Sequence, residues 1–95
     1  RQVPRAALIV DGERFLIDRS ITTIGRLADR AIVIDDPDAS RRHAEIRRTM
    51  QAFTIVDVGS TNGTRVNGSE VARHQLEDGD TIEVASATIQ FILVT

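Results

Sequence analysis

Asp57-Val58-Gly59-Ser60-Thr61-Asn62-Gly63-Thr64-Arg65-Val66-Asn67-Gly68 is the most telling segment of this 95-residue chain. It holds the only asparagines present, Asn62 and Asn67, and a glycine follows each. Asn-Gly is the strongest short signal for a tight reversal between strands, because both residues tolerate positive φ. The two pairs lie close together, with Gly59-Ser60-Thr61 before the first. That make-up predicts a crowded loop displaying hydroxyls, a carboxamide and backbone N–H groups. Such a loop suits an anion or an extended peptide backbone.

On both sides of this segment, short apolar clusters alternate with turn residues at the spacing of an all-β sandwich. The predicted strands before it are Ala7 to Val10, Arg14 to Ile17, Thr22 to Gly25, Ala31 to Ile34, His43 to Arg48 and Phe53 to Val58. Arg65-Val66 and Glu70-Val71 flank Asn67-Gly68 as a small hairpin, followed by Thr81 to Val84 and Thr88 to Val94. Ala44 and Ile46 share one face of their strand, as do Ile89, Phe91 and Leu93 of theirs. No segment keeps a helical apolar period over ten or so residues.

The composition narrows the function classes. Length and a 41% apolar fraction describe one globular domain, residues 1–95. The chain does not begin with methionine, which suggests a segment of a longer protein. A net charge of −2 and three aromatic residues, all phenylalanine, argue against a nucleic-acid partner. No apolar run approaches the roughly 18 residues of a membrane span, so no membrane partner is expected. Cysteine is absent, which excludes disulfides and thiolate metal sites and favours the cytoplasm, or the cytosolic part of a larger protein. All twelve basic residues are arginine. A planar guanidinium fork matches phosphate or carboxylate better than an ammonium does.

Three segments carry the chemistry, the last of them within the stretch above: Gly25-Arg26-Leu27, Ser40-Arg41-Arg42-His43 and Ser60-Thr61-Asn62-Gly63-Thr64. Together they supply guanidinium groups, hydroxyls, a carboxamide and glycine-flanked N–H donors, with no carboxylate among them. A phosphate monoester, with about −1.5 to −2 charge and three acceptor oxygens, is the ligand such a set fits. Asp35, Asp36 and Asp38 lie just before Ser40 and bring negative charge towards that surface.

In order and spacing, these segments resemble the forkhead-associated (FHA) domain. Gly25-Arg26, Ser40-Arg41-Arg42-His43, Gly59 to Thr64 and Val66-Asn67-Gly68 carry the likeness along nearly the whole chain, with Asp36-Pro37 and Leu76 to Asp80 in support. The resemblance implies an eleven-stranded β-sandwich of two twisted antiparallel or mixed sheets, of the FHA-like (SMAD-FHA) type. It implies binding of phosphothreonine peptides at one end of the sandwich, from another protein or from the same polypeptide, in signalling by Ser/Thr kinases. By the same carry-over Arg26, Ser40, Arg41 and Thr61 hold the phosphate, and Asn62 holds the peptide main chain. Gly25, His43, Gly63, Asn67 and Gly68 organise the loops. The resemblance also implies that the loop before Ser40 reads the residue three after the phosphothreonine, where Asp38 would disfavour an acidic side chain.

The plainer readings stand beside these. His43 is read as a packing histidine, Asn67-Gly68 chiefly as a hairpin turn, and Arg42, Arg47 and Arg48 as an exposed strand face. An enzyme is not expected. Ser40 and His43 should sit on opposite faces of a strand start, and no Walker-type loop, paired metal ligands or nucleophile elbow is present. No cofactor and no metal are therefore expected. The alternative is a scaffold of the same fold that binds proteins without regard to phosphorylation.

Overall fold

The computed structural model describes residues 4–94, which form eleven strands and no helix. In chain order they are β1 (Ala6–Val10), β2 (Glu13–Leu16), β3 (Ile21–Gly25), β4 (Ile32–Val33), β5 (Ala44–Arg48), β6 (Phe53–Asp57), β7 (Thr64–Val66), β8 (Ser69–Glu70), β9 (Arg73–Gln75), β10 (Thr81–Val84) and β11 (Ala87–Leu93). One sheet runs β2-β1-β11-β10-β7-β8 and the other β4-β3-β5-β6-β9. All pairings are antiparallel except β3 with β4, which is parallel, so the second sheet is mixed.

Alternation along the strands builds the core. Leu8, Val10, Ile82, Val84, Ile89 and Phe91 from the first sheet meet Ile24, Ile46, Phe53 and Ile55 from the second. Phe53 and Phe91 pack across the layers at a centroid distance of 5.4 Å with planes tilted by 59°, a favourable aromatic geometry. Asn67 and Gly68 have φ of 53° and 85°, as a type I′ hairpin requires, and connect β7 to β8.

The strands follow the alternation of the sequence with one addition. Arg73–Gln75 forms β9, which the apolar pattern does not predict. Its residues are polar and it extends the free edge of β6, pairing Ile55 with His74 and Val56 with Arg73. Most predicted strands shift by a residue at one end or both. The fourth contracts to Ile32–Val33, and β5 begins at Ala44 rather than His43. Ser40 to His43 is a bend, so the opposite-face argument for Ser40 and His43 does not hold: the His43 ring turns back to the Ser40 backbone.

Candidate functional site

At one end of the sandwich the β3–β4, β4–β5 and β6–β7 connections converge. Gly25, the last residue of β3, allows this. A Cβ there would lie 2.2 Å from the Arg41 carbonyl oxygen and 3.1 Å from that of Ser40. Without it, the Arg26 N–H donates to the Ser40 carbonyl at 3.0 Å and the Leu27 N–H to that of Arg41 at 3.3 Å. The arginine after the glycine is thereby set beside the serine loop. Arg26 Nε donates to the Ala39 carbonyl at 3.1 Å, which aims the exposed side chain along the loop and leaves its terminal Nη groups for an anion.

His43 is fully buried and joins two loops. Its Nδ1 accepts the Ser40 N–H at 3.0 Å and its Nε2 pairs with the Gly63 carbonyl at 2.8 Å. Because the carbonyl only accepts and the Ser40 N–H only donates, the ring is the Nε2–H tautomer. Both nitrogens are thus occupied, and neither reaches the Ser40 hydroxyl. That hydroxyl instead accepts the Thr61 N–H at 3.0 Å and keeps its own proton to donate. Asn62 Nδ2 donates to the Asp38 carbonyl at 2.9 Å, a second bridge between the loops, leaving Oδ1 and one N–H of the amide.

Arg26, Ser40, Arg41, Thr61 and Asn62 consequently border one open depression of about 440 Å³, with Asp38 on its margin. All but half-buried Ser40 are exposed. Gly63 takes φ of 88° and turns its carbonyl to His43. Asn67 and Gly68 are not part of this depression. Asn67 Nδ2 donates to Asp80 Oδ1 at 2.9 Å and its Oδ1 accepts the Thr81 N–H at 2.9 Å, tying the β7–β8 hairpin to β10.

Two aspartates, Asp57 and Asp36, organise the site in a way that their places in the sequence do not indicate. Asp57, at the end of β6, accepts from the Gly59 and Ser60 N–H groups and from the Ser60 and Thr64 hydroxyls. Burial pushes its pKa up, but the bonds from Ser60, Thr64 and Gly59 outweigh burial and hold the carboxyl below its ordinary value. Asp36 accepts from the Asp38 N–H at 2.8 Å and from the N–H and hydroxyl of Ser86, fastening the loop before Ser40 to the β10–β11 turn. A serine three residues after Asp57 is a common turn pattern, and the serine that Asp36 meets lies fifty residues away, so neither role shows in the local sequence.

The FHA domain family profile matches residues 22–85, which span all three loops. This chain belongs to the FHA domain family. The glycogen accumulation regulator GarA of Mycobacterium tuberculosis is 42% identical over 95 residues, covering 94% of this chain and 59% of the relative. An oxoglutarate dehydrogenase inhibitor of Corynebacterium diphtheriae is 46% identical over 81 residues, covering 85% of this chain and 57% of the relative. The FHA domain thus spans less than two-thirds of the length of these curated relatives. Among solved structures, one described as an analysis of phosphothreonine-dependent FHA domain interactions superposes with a TM-score of 0.87 at 35% identity, covering 93% of this chain and 95% of the other. The FhaA FHA domain complexed with the intracellular domain of Rv3910 superposes with a TM-score of 0.85 at 36% identity, covering 90% of this chain and 98% of the other.

Proposed function

We propose that this FHA domain binds protein segments carrying phosphothreonine and so acts as a recognition module in Ser/Thr kinase signalling. The observation that carries the reading is that Arg26, Ser40, Arg41 and Thr61, from three separate connections, line one open depression. Arg26 is held on the Ala39 carbonyl and Ser40 between His43 and the Thr61 N–H, so less ordering of these two remains for the ligand to impose. The phosphate accepts from Arg26, Arg41, Ser40 and Thr61, and the remaining amide groups of Asn62 bond the peptide main chain. Charge-assisted bonds contribute about 1.5–3 kcal/mol each, enough to separate phosphorylated from unphosphorylated threonine.

The role is binding rather than catalysis. Both nitrogens of His43 are occupied within the fold, and His74 pairs with Asp80 at 3.2 Å on another part of the molecule. Relatives named as regulators and inhibitors support a regulatory, non-catalytic part for the domain. Among the described residues no helix is long and apolar enough to cross a membrane. The proposed compartment is the cytoplasm, where ATP-dependent kinases make phosphothreonine.

Isothermal calorimetry with an oriented phosphothreonine peptide library, followed by single peptides, tests the reading. Arg26→Ala removes a forked pair of charge-assisted bonds, worth about 3 kcal/mol or more, so binding should weaken at least roughly 100-fold. The circular dichroism spectrum should be retained, since this side chain is exposed. Phosphoserine should bind less well than phosphothreonine. An Arg26→Ala variant that binds as the parent does would disprove the assignment of the phosphate site. Equal binding of unphosphorylated peptides would favour the phospho-independent scaffold.

A further inference from the structure

Thr61 and Asn62 stand at the tip of a loop whose remaining residues are wrapped around one carboxylate. Asp57 Oδ1 accepts the Gly59 N–H at 2.9 Å and the Ser60 N–H at 2.8 Å. Asp57 Oδ2 accepts the Ser60 hydroxyl at 2.5 Å and the Thr64 hydroxyl at 2.8 Å. The Ser60 oxygen in turn accepts the Gly63 N–H at 3.0 Å, closing the loop onto the same centre. Thr64 is completely buried, so its end of the loop is anchored in the core. Thr61 and Asn62 make no bond to Asp57. They reach across to Ser40 and to the Asp38 carbonyl instead.

The Gly59 and Ser60 N–H groups can only donate, and the ionised carboxylate, with two oxygens and roughly four lone-pair sites, accepts from them and from both hydroxyls at once. A carboxamide of the same shape would keep one oxygen for the N–H pair but set an NH₂ group against the Ser60 and Thr64 hydroxyls, which would have to turn from donating to accepting. We infer that Asp57 is a positioning residue for phosphopeptide binding: it touches no ligand, but it presets the Gly59–Gly63 loop so that Thr61 and Asn62 face the depression bordered by Arg26 and Ser40. The inference rests on the phosphothreonine reading above. It assigns to the first residue of the Asp57–Gly68 segment a part in binding that its place at the end of a strand does not suggest.

Asp57→Asn tests it, with the amides read first and no ligand present. Hydrogen exchange followed by NMR should speed up at Gly59, Ser60 and Gly63 while the amides of β5 and β10 stay protected. Affinity for a phosphothreonine peptide that the parent binds should then fall. If the preset loop drops to between about 1 and 10% of molecules, the apparent affinity falls by the same factor, roughly 10- to 100-fold. Ile55→Val, a buried change on the same strand, is the control for simple loss of stability and should leave affinity unchanged. Thr64→Val removes one of the four donors at nearly constant shape and should weaken binding by a smaller factor. Should Asp57→Asn not fold, Thr64→Val decides, and parent-like affinity overturns the inference. Parent-like affinity or loop exchange in a folded Asp57→Asn overturns it as well, as does an equal affinity loss in Ile55→Val. If the parent itself binds no phosphothreonine peptide, the functional reading fails and the positioning role with it. The exchange data then tell that failure apart from a loop that Asp57 never ordered.

Discussion

Replacing Gly25 with alanine should damage the fold and the site together, and the geometry sets the size of the effect. The new Cβ would stand 2.2 Å from the Arg41 carbonyl oxygen, 3.0 Å from the Arg41 carbonyl carbon and 3.1 Å from the Ser40 carbonyl oxygen. All three are backbone atoms, so no rotamer change relieves the clash. Ordinary contact begins at 3.4 Å, which demands a shift of about 1.2 Å between β3 and the Ser40–Arg41 backbone. That shift breaks the bonds from Arg26 N–H and Leu27 N–H, which run between the same two segments at 3.0 and 3.3 Å. Two neutral hydrogen bonds at about 1 kcal/mol each, together with overpacking at about 1–3 kcal/mol, put the cost near 3–5 kcal/mol. For a domain of this size the melting temperature should fall by roughly 15–25 °C. Ser40 and Arg41 move with their backbone, so phosphopeptide affinity should fall as well.

Differential scanning calorimetry and urea titration measure the stability change, and titration calorimetry the binding. Gly59→Ala is the contrast. Gly59 has φ of 94°, and a Cβ at this position would meet nothing within 4 Å, so its cost is backbone strain without a clash. That cost should be about 1 kcal/mol, the scale of a left-handed non-glycine residue. Gly25 is not among the residues with positive φ, so its cost is steric alone. A Gly25→Ala protein that melts with the parent, or that loses no more stability than Gly59→Ala, would refute the close-approach argument.

Two other outcomes follow from the same network. His43→Leu strands the Ser40 N–H and the Gly63 carbonyl, each at about 1–3 kcal/mol when buried, so the urea midpoint should fall by the equivalent of roughly 2–6 kcal/mol. Phosphopeptide binding should weaken with it, and an unchanged midpoint would show that the ring is not the staple between the loops. Acid should destabilise the domain through Asp57 and Asp80. For each, burial raises the pKa but hydrogen bonds lower it more. For Asp80 the bonds come from the Glu77 N–H, Asn67 and His74, and the net displacement is downward for both aspartates. A depressed folded pKa means stability that is fully present above the unfolded value of 3.8 and is lost as the pH falls through the lower folded value. Melting curves between neutral pH and strong acid should show this loss, and Asp80→Asn should flatten it. A parent and variant with the same acid slope would contradict the assignment.

Much of the architecture was legible in the chain. Alternation marked β5, β6, β10 and β11 because their apolar residues repeat with the two-residue period of a strand packed on one face, and a continuous apolar run marked β1. Asn67-Gly68 marked the β7–β8 turn because few residue pairs accept two positive φ angles. β9 was not legible, since Arg73, His74 and Gln75 carry no apolar stripe and are strand only because β6 offers them a free edge. At the site, the kinds of residue were readable but their partners were not. Asp57 looked like an ordinary strand end, and His43 like a packing side chain. The donors and acceptors they serve lie on other loops, and which loop comes near is a matter of sheet packing.

Residue chemistry and short-range preference therefore account for the strands, the tight turn, the arginine and hydroxyl content of the loops and the family likeness. Folding accounts for the rest. Arg26, Ser40 and Thr61 come from separate connections, and they meet because two sheets stack with those connections at one end. Gly25 permits that approach by having no side chain, and His43 and Asp57 hold it by filling every hydrogen-bonding position that faces them. Local preference acts over a few neighbouring residues, whereas each of these contacts joins segments that the core alone brings into reach.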